Sequence, residues 1–261
     1  LFGGATSPRA AVRWDPAERL IVRASVGRGF RAPPFKDLFL SFQNAGSGYR
    51  VDGNPDLQPE RAWSETVDID WGPTERVDLR VAGFRNDLTN MIMTDLVAPA
   101  DAGSPARYSY VNVARAWTQG VEAGAAYAPH DRLRVGVDTT LLQTRDLDRD
   151  RPLNGRPPVT VDGRLGLGSA DTPLRLDTRA SWQAPAPVFF DDDGDGVETE
   201  STAPAWWLLD ARLAWRASRS IELFAGVDNA LDTGDVALRP GRPRRVFAGV
   251  NGRLGTNRRS R

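Results

Sequence analysis

The residues with the clearest chemical potential form an acidic run, Asp-Asp-Asp-Gly-Asp-Gly, over residues 191–196. Asp191, Asp193 and Asp195 occupy positions one, three and five of a calcium-binding loop, and the glycine after them occupies position six, where such a loop turns sharply. Carboxylate oxygens at that spacing curl around one hard cation. The twelfth position holds Thr202, so the bidentate Glu of an EF-hand is missing.

Two interpretations of this acidic segment follow. In the first, Glu198 or Glu200 supplies the missing carboxylate, and a bound Ca²⁺ orders this loop. In the second, the aspartates are solvated and bind no metal. Calorimetric titration with calcium, with and without the substitution Asp193→Ala, separates the two. No cofactor is required in either case.

Catalytic chemistry finds little support elsewhere in the 261 residues. The chain contains no cysteine and a single histidine, His130, which lies in a Pro-His-Asp-Arg turn. No pair of carboxylates converges in the sequence pattern, so a soluble β-sandwich enzyme is the least supported alternative and we expect no enzyme. The 34 basic and 34 acidic residues balance, which implies no general attraction to nucleic acid.

Two further segments have a functional and a structural interpretation. The run over residues 145–151 alternates Arg and Asp, and its arginines could bind lipopolysaccharide or an anionic ligand. A self-paired surface loop is the favoured interpretation. The aromatic residues of the first long connection either contact a solute or pack that connection; they are Phe35, Phe39, Phe42 and Tyr49. Residues that bind substrate stay unassigned.

Period-two alternation, punctuated by turns, predicts about eleven β-strands. No stretch of about 18 apolar residues is present, so no membrane-spanning helix is predicted. The predicted strands are Arg9–Trp14, Leu20–Arg28, Arg61–Trp71, Arg76–Asn86, Tyr108–Tyr127, Arg132–Thr144, Val159–Gly168, Leu174–Gln183, Ala205–Arg216, Ser220–Asp228 and Arg244–Leu254.

The connections between these strands alternate between short and long through the whole chain. The first long connection covers residues 29–60, and its four prolines predict that neither helix nor sheet runs through it. A compact soluble domain rarely spends about thirty residues on one connection. An up-and-down transmembrane barrel has short turns at its periplasmic end and long loops at its extracellular end, and this alternation indicates that architecture.

Aromatic residues support a barrel wall independently. Trp63 and Trp71 lie eight residues apart and share a strand face with Val67 and Ile69, and Trp207 and Trp215 repeat that spacing on a later strand. Eight residues span roughly 26 Å along a strand, near the height of an apolar band with an aromatic girdle at each edge. Four rings precede short turns and should mark one level: Trp14, Trp71, Tyr127 and Trp215.

The opposite strand faces carry charge, which favours a wet interior. Asp68 and Asp70 face away from Trp71, and Asp210 and Arg212 face away from the apolar face of their strand. The passive porin or adhesin barrel is the alternative that this pattern leaves open. Glu65 lies on the apolar face and is an exception that the sequence does not explain.

Five motifs occur in the order seen in one family. They are Gly29-Phe30-Arg31-Ala32-Pro33; Gly53-Asn54-Pro55-Asp56-Leu57-Gln58-Pro59-Glu60; Tyr110-Val111-Asn112-Val113 with Gln119-Gly120-Val121-Glu122; Pro152-Leu153-Asn154-Gly155-Arg156-Pro157; and Val227-Asp228-Asn229-Ala230-Leu231-Asp232 with Pro240-Gly241-Arg242. Together they resemble the C-terminal half of the barrel of TonB-dependent outer-membrane receptors. Turn chemistry predicts a structural role for each motif.

The resemblance implies a 22-stranded barrel, of which residues 1–254 would supply about eleven strands and residues 255–261 a polar tail. It implies a location in the outer membrane of a Gram-negative bacterium, among outer-membrane lipid and lipopolysaccharide. It also implies active uptake of a scarce solute such as an iron-siderophore, haem or cobalamin. The TonB complex would act through an N-terminal plug that this chain lacks.

Overall fold

The computed structural model describes residues 4–44, 49–98, 106–169, 171–190, 198–218, 220–233 and 243–252. Within these ranges the chain is almost entirely β-strand, with one five-residue helix, α1 (Phe35–Phe39). No helix in the described ranges has the length and apolarity needed to cross a membrane. The strands are β1 (Arg9–Ala17), β2 (Leu20–Arg31), β3 (Ser41–Asn44), β4 (Tyr49–Asp52), β5 (Glu60–Thr74), β6 (Val77–Ala98), β7 (Ala106–His130), β8 (Leu133–Asp146), β9 (Val159–Leu167), β10 (Leu174–Gln183), β11 (Ala186–Phe190), β12 (Thr199–Ala203), β13 (Trp206–Arg216), β14 (Ile221–Asp228) and β15 (Arg245–Gly252).

One continuous sheet carries the fold. Its order is β1-β2-β5-β6-β7-β8-β9-β10-β13-β14-β15, and every neighbouring pair along that path is antiparallel. The sheet has thirteen strands, of which β3 and β4 are a side branch, so eleven form the path. The prediction of about eleven strands in an up-and-down meander is confirmed. In the described chain β1 and β15 do not pair, so the sheet is open.

Exposure alternates along β5. Unlike in a soluble protein, the apolar side chains are the exposed ones and the polar side chains are partly covered. The apolar side chains Val67, Ile69 and Trp71 are 51%, 41% and 47% exposed, whereas Asp68 and Asp70 on the other face are partly covered. The predicted outward rings are exposed as well: Trp14, Tyr127, Trp207 and Trp215. We call the face with Val67 the outer face and the face with Asp68 the inner face.

The register of the sheet gives the strand tilt. The cross-strand row that starts at Trp71 reaches Leu209 after six steps, and Leu209 lies six residues before Trp215. If Trp71 and Trp215 lie at one level of the membrane, the row is displaced along the strands by those six residues, about 20 Å. It covers that distance over six strand spacings of about 4.8 Å each. The strands then tilt by about 35°, which is the value expected of a transmembrane barrel.

Two expectations about the long connections were wrong. The second long connection, predicted to be irregular from residue 87, is a continuation of β6 and β7, which pair with each other up to Ala98 and Arg107. The first connection contains α1 and the hairpin of β3 and β4. Its prolines flank these elements, and Pro34 precedes the first helical residue, where a missing N–H costs nothing.

Gly120 explains why one motif needs a glycine. A Cβ at Gly120 would lie 2.3 Å from the carbonyl oxygen of Leu141 and 2.9 Å from the ring of Phe84. Phe84 is the register partner of Gly120 on β6, so the ring occupies the space above the glycine. This arrangement of an aromatic ring over a cross-strand glycine fixes the register of the pair.

Candidate functional site

Charged side chains cover the inner face and pair with one another across the strands. The Arg23 guanidinium lies 2.7 Å from an Asp68 oxygen and also bonds Asp70. On neighbouring strands Arg164 bonds Asp138, and Arg179 lies 2.8 Å from Asp162. These pairs are half exposed, as expected for a wall that faces water or a polar partner. The polar interior predicted from the alternation is confirmed.

The connections between strands end at two different rims. The short-turn rim consists of the turns after β1, β5, β7, β9 and β13, and the long-connection rim consists of the connections after β2, β6, β8, β10 and β14. The motif residues concentrate at the long-connection rim. Their contacts show what each motif does.

Asn112 on β7 fastens the first long connection to the sheet. Its amide oxygen accepts a 2.6 Å hydrogen bond from the Gln58 N–H, and its amide nitrogen donates to the carbonyls of Gln58 and Asn90 at 2.8 and 2.9 Å. Asn54 adds a 2.9 Å bond from its amide nitrogen to the Tyr110 carbonyl. Two motifs more than fifty residues apart therefore form one clamp.

Glu60 completes the clamp at the entry to β5. One carboxylate oxygen accepts a 2.8 Å hydrogen bond from the Ile92 N–H, and the other accepts a 2.7 Å bond from Arg31. The segment before it is tightly packed, because Leu57 is almost completely buried. The structural role predicted for this motif is confirmed.

The first connection is compact at its base. The Gly53 N–H donates a 2.5 Å hydrogen bond to the Leu40 carbonyl, and a Cβ at Gly53 would lie 2.5 Å from the backbone of Leu38. Only glycine allows that approach. Nearby, a hydrogen bond from Arg50 lowers the pKa of the Asp52 carboxyl below its ordinary value.

The alternating run over residues 145–151 folds back on itself. Arg145 lies 2.5 Å from Asp150, and the Asp146 carboxylate accepts backbone hydrogen bonds from Asp148 and Arg149 at 3.0 and 3.1 Å. Burial alone would raise the pKa of Asp146, but these bonds outweigh it and lower that pKa. The favoured interpretation, a self-paired loop, is confirmed.

The same loop is joined to the hairpin of β11 and β12. Arg151 bonds Glu198 and lies 4.0 Å over the Phe189 ring, and the Asn154 amide donates a 2.7 Å hydrogen bond to the Phe189 carbonyl. Gly155 adopts a φ of +67°, and its N–H bonds the Pro187 carbonyl. The motif with Asn154 and Gly155 is therefore a second structural joint of the long-connection rim.

The predicted calcium ligands Asp191, Asp193 and Asp195 lie outside the described residues, in the stretch of sequence between β11 and β12. Glu198, one of the two candidates with Glu200 for the missing carboxylate, bonds Arg151. Within the described ranges no group of three or more His, Cys, Asp or Glu side chains could hold a metal. The calcium site stays a prediction.

Asn229 forms the turn after β14. Its backbone adopts a φ of +48°, its side chain is buried, and it exchanges hydrogen bonds with the backbone of Thr233 at 2.9 and 3.1 Å. The Asn229 N–H bonds the Asp210 carboxylate at 2.8 Å. The part of the motif over residues 227–232 is structural, as predicted, and Pro240, Gly241 and Arg242 lie outside the described residues.

Glu65, the exception on the outer face, has partners that the sequence did not reveal. Its carboxylate accepts a 2.9 Å hydrogen bond from the Trp63 indole N–H. Its cross-strand row continues through Arg85, Gln119 and Gln143, which bond one another at 2.7 and 3.0 Å. This polar row lies on the outer face over β5 to β8, two residues below Trp63 on β5.

The aromatic residues of the first connection are displayed to solvent. Phe35 and Phe39 contact each other on α1 with ring centroids 4.8 Å apart, and Phe35 is 79% exposed. Phe42 is also exposed, and the side chain of Tyr49 lies outside the described part. The sequence analysis identified these aromatic residues. It did not identify the partners of Asn112, because hydrogen bonds between segments far apart in the chain leave no periodic pattern.

Comparison with known proteins identifies the class. Residues 2–230 match the family model described as TonB dependent receptor-like, beta-barrel. The vitamin B12 transporter BtuB of Photobacterium profundum is 28% identical over 237 residues, which are 90% of this chain and 35% of that protein. The iron-regulated outer membrane virulence protein of Vibrio cholerae is 23% identical over 242 residues, 88% of this chain and 36% of that protein.

A solved structure has the same fold. The ferric enterobactin receptor of Pseudomonas aeruginosa, in its R480A mutant, superposes with a TM-score of 0.71 at 23% identity, over 94% of this chain and 40% of that one. The chain belongs to the barrel domain of the TonB-dependent receptors, as the motifs predicted. It is an outer-membrane protein, and the long-connection rim is its extracellular side. The chain spans little more than a third of the length of the curated relatives named above.

Proposed function

We propose that this chain forms the C-terminal part of the barrel wall of a receptor that imports a scarce, bulky solute by TonB-dependent transport. The observation that carries the proposal is the sheet itself: apolar side chains are exposed on one face, paired charges cover the other, and the family match spans residues 2–230. A plug domain outside this chain would fill the interior and contact TonB. The relatives named above include a transporter and a receptor, which supports transport over catalysis.

The solute class we propose is an iron-siderophore, haem or cobalamin. The matched relatives include a vitamin B12 transporter and a ferric enterobactin receptor, and these two solutes differ in charge and shape. The same wall therefore serves different solutes, and the choice among them lies in the extracellular loops and the plug. The braced loops at the extracellular rim support a role in solute capture.

Growth of a deletion strain tests the proposal. The strain lacking the full receptor is compared with its parent under iron limitation and under cobalamin limitation, each with and without a functional TonB. We expect a growth defect under one limitation that the intact gene rescues only when TonB is present. Rescue without TonB would favour the passive porin, and no defect under either limitation would contradict import of these solutes.

Phe35 and Phe39 are the candidates for solute contact within the described chain. Their paired, exposed rings on the extracellular rim offer an apolar surface to an aromatic or macrocyclic solute. Replacing both by Ser should weaken solute binding at least fivefold in a binding titration of the full receptor. Leu231→Ser, at an apolar position on the same rim that is 50% exposed, close to the 49% of Phe39, should leave binding unchanged. Equal losses in both variants would contradict the assignment.

Calcium binding by Asp191, Asp193 and Asp195 is a separate proposal that the ligand spacing supports. Calorimetric titration of the full receptor with Ca²⁺ should give heat in the wild type and none in Asp193→Ala. The absence of heat in the wild type would reject the site.

A further inference from the structure

The polar row on the outer face has no role in the wall described so far. It runs across four strands, from Glu65 on β5 through Arg85 and Gln119 to Gln143 on β8. Two residues below Glu65, the same face presents the exposed side chain of Val67. Polar and ionisable groups that face lipid are rare in membrane proteins, and they mark functional sites by default. The row is therefore a candidate for contact with another molecule.

The height of the row places its first two members among acyl chains. Glu65 lies six residues above Trp71 on β5, which at a tilt of about 35° is roughly 16 Å above the lower girdle. Each strand from β5 to β8 raises the row by about 3 Å, so Gln143 lies at roughly 24 Å. The apolar band of such barrels is about 25 Å tall. Glu65 and Arg85 therefore lie below the lipid head groups.

Glu65 and Arg85 are register partners, yet they do not form an ion pair within the described chain. The Arg85 guanidinium donates to the Asp87 carboxylate at 3.0 and 2.8 Å and to the Gln119 amide oxygen at 2.7 Å. Two of its five N–H groups stay unused. Among the described residues, the Trp63 indole gives the Glu65 carboxylate its one hydrogen bond. A carboxylate with most of its acceptor positions unfilled therefore faces hydrocarbon.

The position of Glu65 in the sheet limits what can cover it. β5 and β6 are flanked by β2 and β7, so further strands of a barrel can add to the described sheet only at β1 and β15. A plug would lie on the inner face. Acyl chains offer no hydrogen-bond donor, and a lipid phosphate would repel the carboxylate. The outer face of β5 and β6 therefore fits another protein in the membrane, one that places a cation opposite Glu65.

We propose that this face binds a second copy of the same receptor, with a twofold axis along the membrane normal between Glu65 and Arg85. The axis places Glu65 of each copy opposite Arg85 of the other, where the unused guanidinium N–H groups can donate to the carboxylate. The two residues differ in height by about 3 Å, which the long arginine side chain spans. A twofold interface requires a self-complementary patch, and neighbouring side chains of opposite charge provide one.

The contact between the two copies is narrow, so the association is weak. Strands that tilt by about 35° in each of two facing walls cross at about 70°, and both walls curve away from the axis. Only residues near the axis touch, so receptors pair when they are crowded in the membrane and separate when they are diluted. The proposal rests on the membrane placement used under the proposed function, but it requires neither the plug nor TonB.

Energy transfer between labelled receptors tests the pairing. The full receptor, with any other cysteines replaced, carries Asp131→Cys in the short turn after β7, is labelled with a donor or an acceptor, and is reconstituted into phosphatidylcholine vesicles. We expect transfer above the level of randomly placed receptors when the vesicles are crowded, and none when they hold fewer than one receptor on average. Glu65→Gln should weaken the association about tenfold, because both ion pairs are lost. Asp171→Asn, which removes an exposed carboxylate at the short-turn rim, should leave the association unchanged.

Reversal of the two charges gives a second readout, which a loss of folding cannot imitate. Glu65→Arg and Arg85→Glu should each abolish the excess transfer alone, because like charges then face each other across the axis. Mixing one variant as donor with the other as acceptor should restore it, since both contacts of the mixed pair again join opposite charges.

Three results would overturn the proposal. The absence of excess transfer in the crowded wild type would assign the face to lipid. Equal association of Glu65→Gln and the wild type, or no recovery when the two charge-reversal variants are mixed, would show that Glu65 and Arg85 do not join two copies. Solute uptake is measured separately in cells, so a failure of pairing and a failure of import are distinguishable.

Discussion

The two faces of β5 differ in both polarity and exposure. On the outer face Val67, Ile69 and Trp71 are largely exposed, and on the inner face Asp68 and Asp70 are partly covered by Arg23. A soluble sheet would bury the apolar face. The comparison teaches that the outer face contacts lipid. Alternation along one strand is enough to give it an apolar face and a charged face.

The largest expected effect comes from placing a charge on each face. Val67 lies four residues above Trp71, roughly 11 Å into a band about 25 Å tall. Val67→Arg should cost about 2–4 kcal/mol of unfolding free energy in lipid, because the guanidinium enters hydrocarbon near the midplane. Thr66→Arg, one residue away on the inner face, should cost less than about 1 kcal/mol. Denaturant unfolding of the full receptor in vesicles measures both, and equal costs would contradict the assignment of faces.

Two glycines on neighbouring strands extend the comparison of the two faces, because Gly120 of β7 lies on the inner face and Gly83 of β6 on the outer face. Gly120→Ala brings a Cβ into the Phe84 ring and the Leu141 carbonyl, and it should destabilise the barrel by about 1–3 kcal/mol. A Cβ at Gly83, on the outer face of β6, would meet no atom within 4 Å. Gly83→Ala should therefore change stability by less than about 0.5 kcal/mol. Denaturant unfolding of the full receptor in vesicles measures both variants. Similar losses of stability at the two positions would show that the contact between Phe84 and Gly120 does not stabilise the barrel.

The clamp at the extracellular rim should respond to loss of its central amide. Asn112→Ala removes three hydrogen bonds to the backbone of Gln58 and Asn90, at an expected cost of about 1–2 kcal/mol to local opening. Hydrogen exchange at the Gln58 and Ile92 amides should then accelerate about tenfold. Asn86→Ala, which removes one bond to Thr118 lower on the inner face, is the control and should leave those amides unchanged. Unaltered exchange in Asn112→Ala would show that the clamp does not hold the loop.

The smallest effect is expected at the loop after β8. Asp146→Ala removes the carboxylate that fixes the turn at Asp148 and Arg149, and about 1 kcal/mol of local stability should make trypsin cleavage about fivefold faster. Asp148→Ala, an exposed carboxylate on the same loop, should leave the cleavage rate unchanged.

The same residue gives a pH dependence. Because folding lowers the pKa of Asp146, its contribution is present above the ordinary carboxyl pKa of about 3.9 and is lost as the pH falls through the folded value. With pepsin, the ratio of cleavage rates between Asp146→Ala and the wild type should therefore approach one in acid. A ratio independent of pH would show that the carboxylate charge is not what holds the turn.

Alternation and turn residues predicted most of the fold, because a strand with lipid on one side and water on the other must alternate strictly. β10 was predicted with its observed bounds, Leu174–Gln183. The extension of β6 and β7 was not predicted, since these residues pair beyond the membrane, where no solvent difference imposes alternation. The bonds between Asn112 and Gln58 join segments 54 residues apart, and such a contact leaves no local trace in the sequence.

The most direct test of the two-faced wall is a spin-label scan along β5. The chain contains no cysteine, so single cysteines at positions 64–71 can be labelled once any cysteines elsewhere in the receptor have been replaced. In outer-membrane lipid, labels at 67, 69 and 71 should collide mainly with oxygen dissolved in lipid, and labels at 66, 68 and 70 mainly with a water-soluble nickel complex. A flat profile, or one with the opposite phase, would contradict the account.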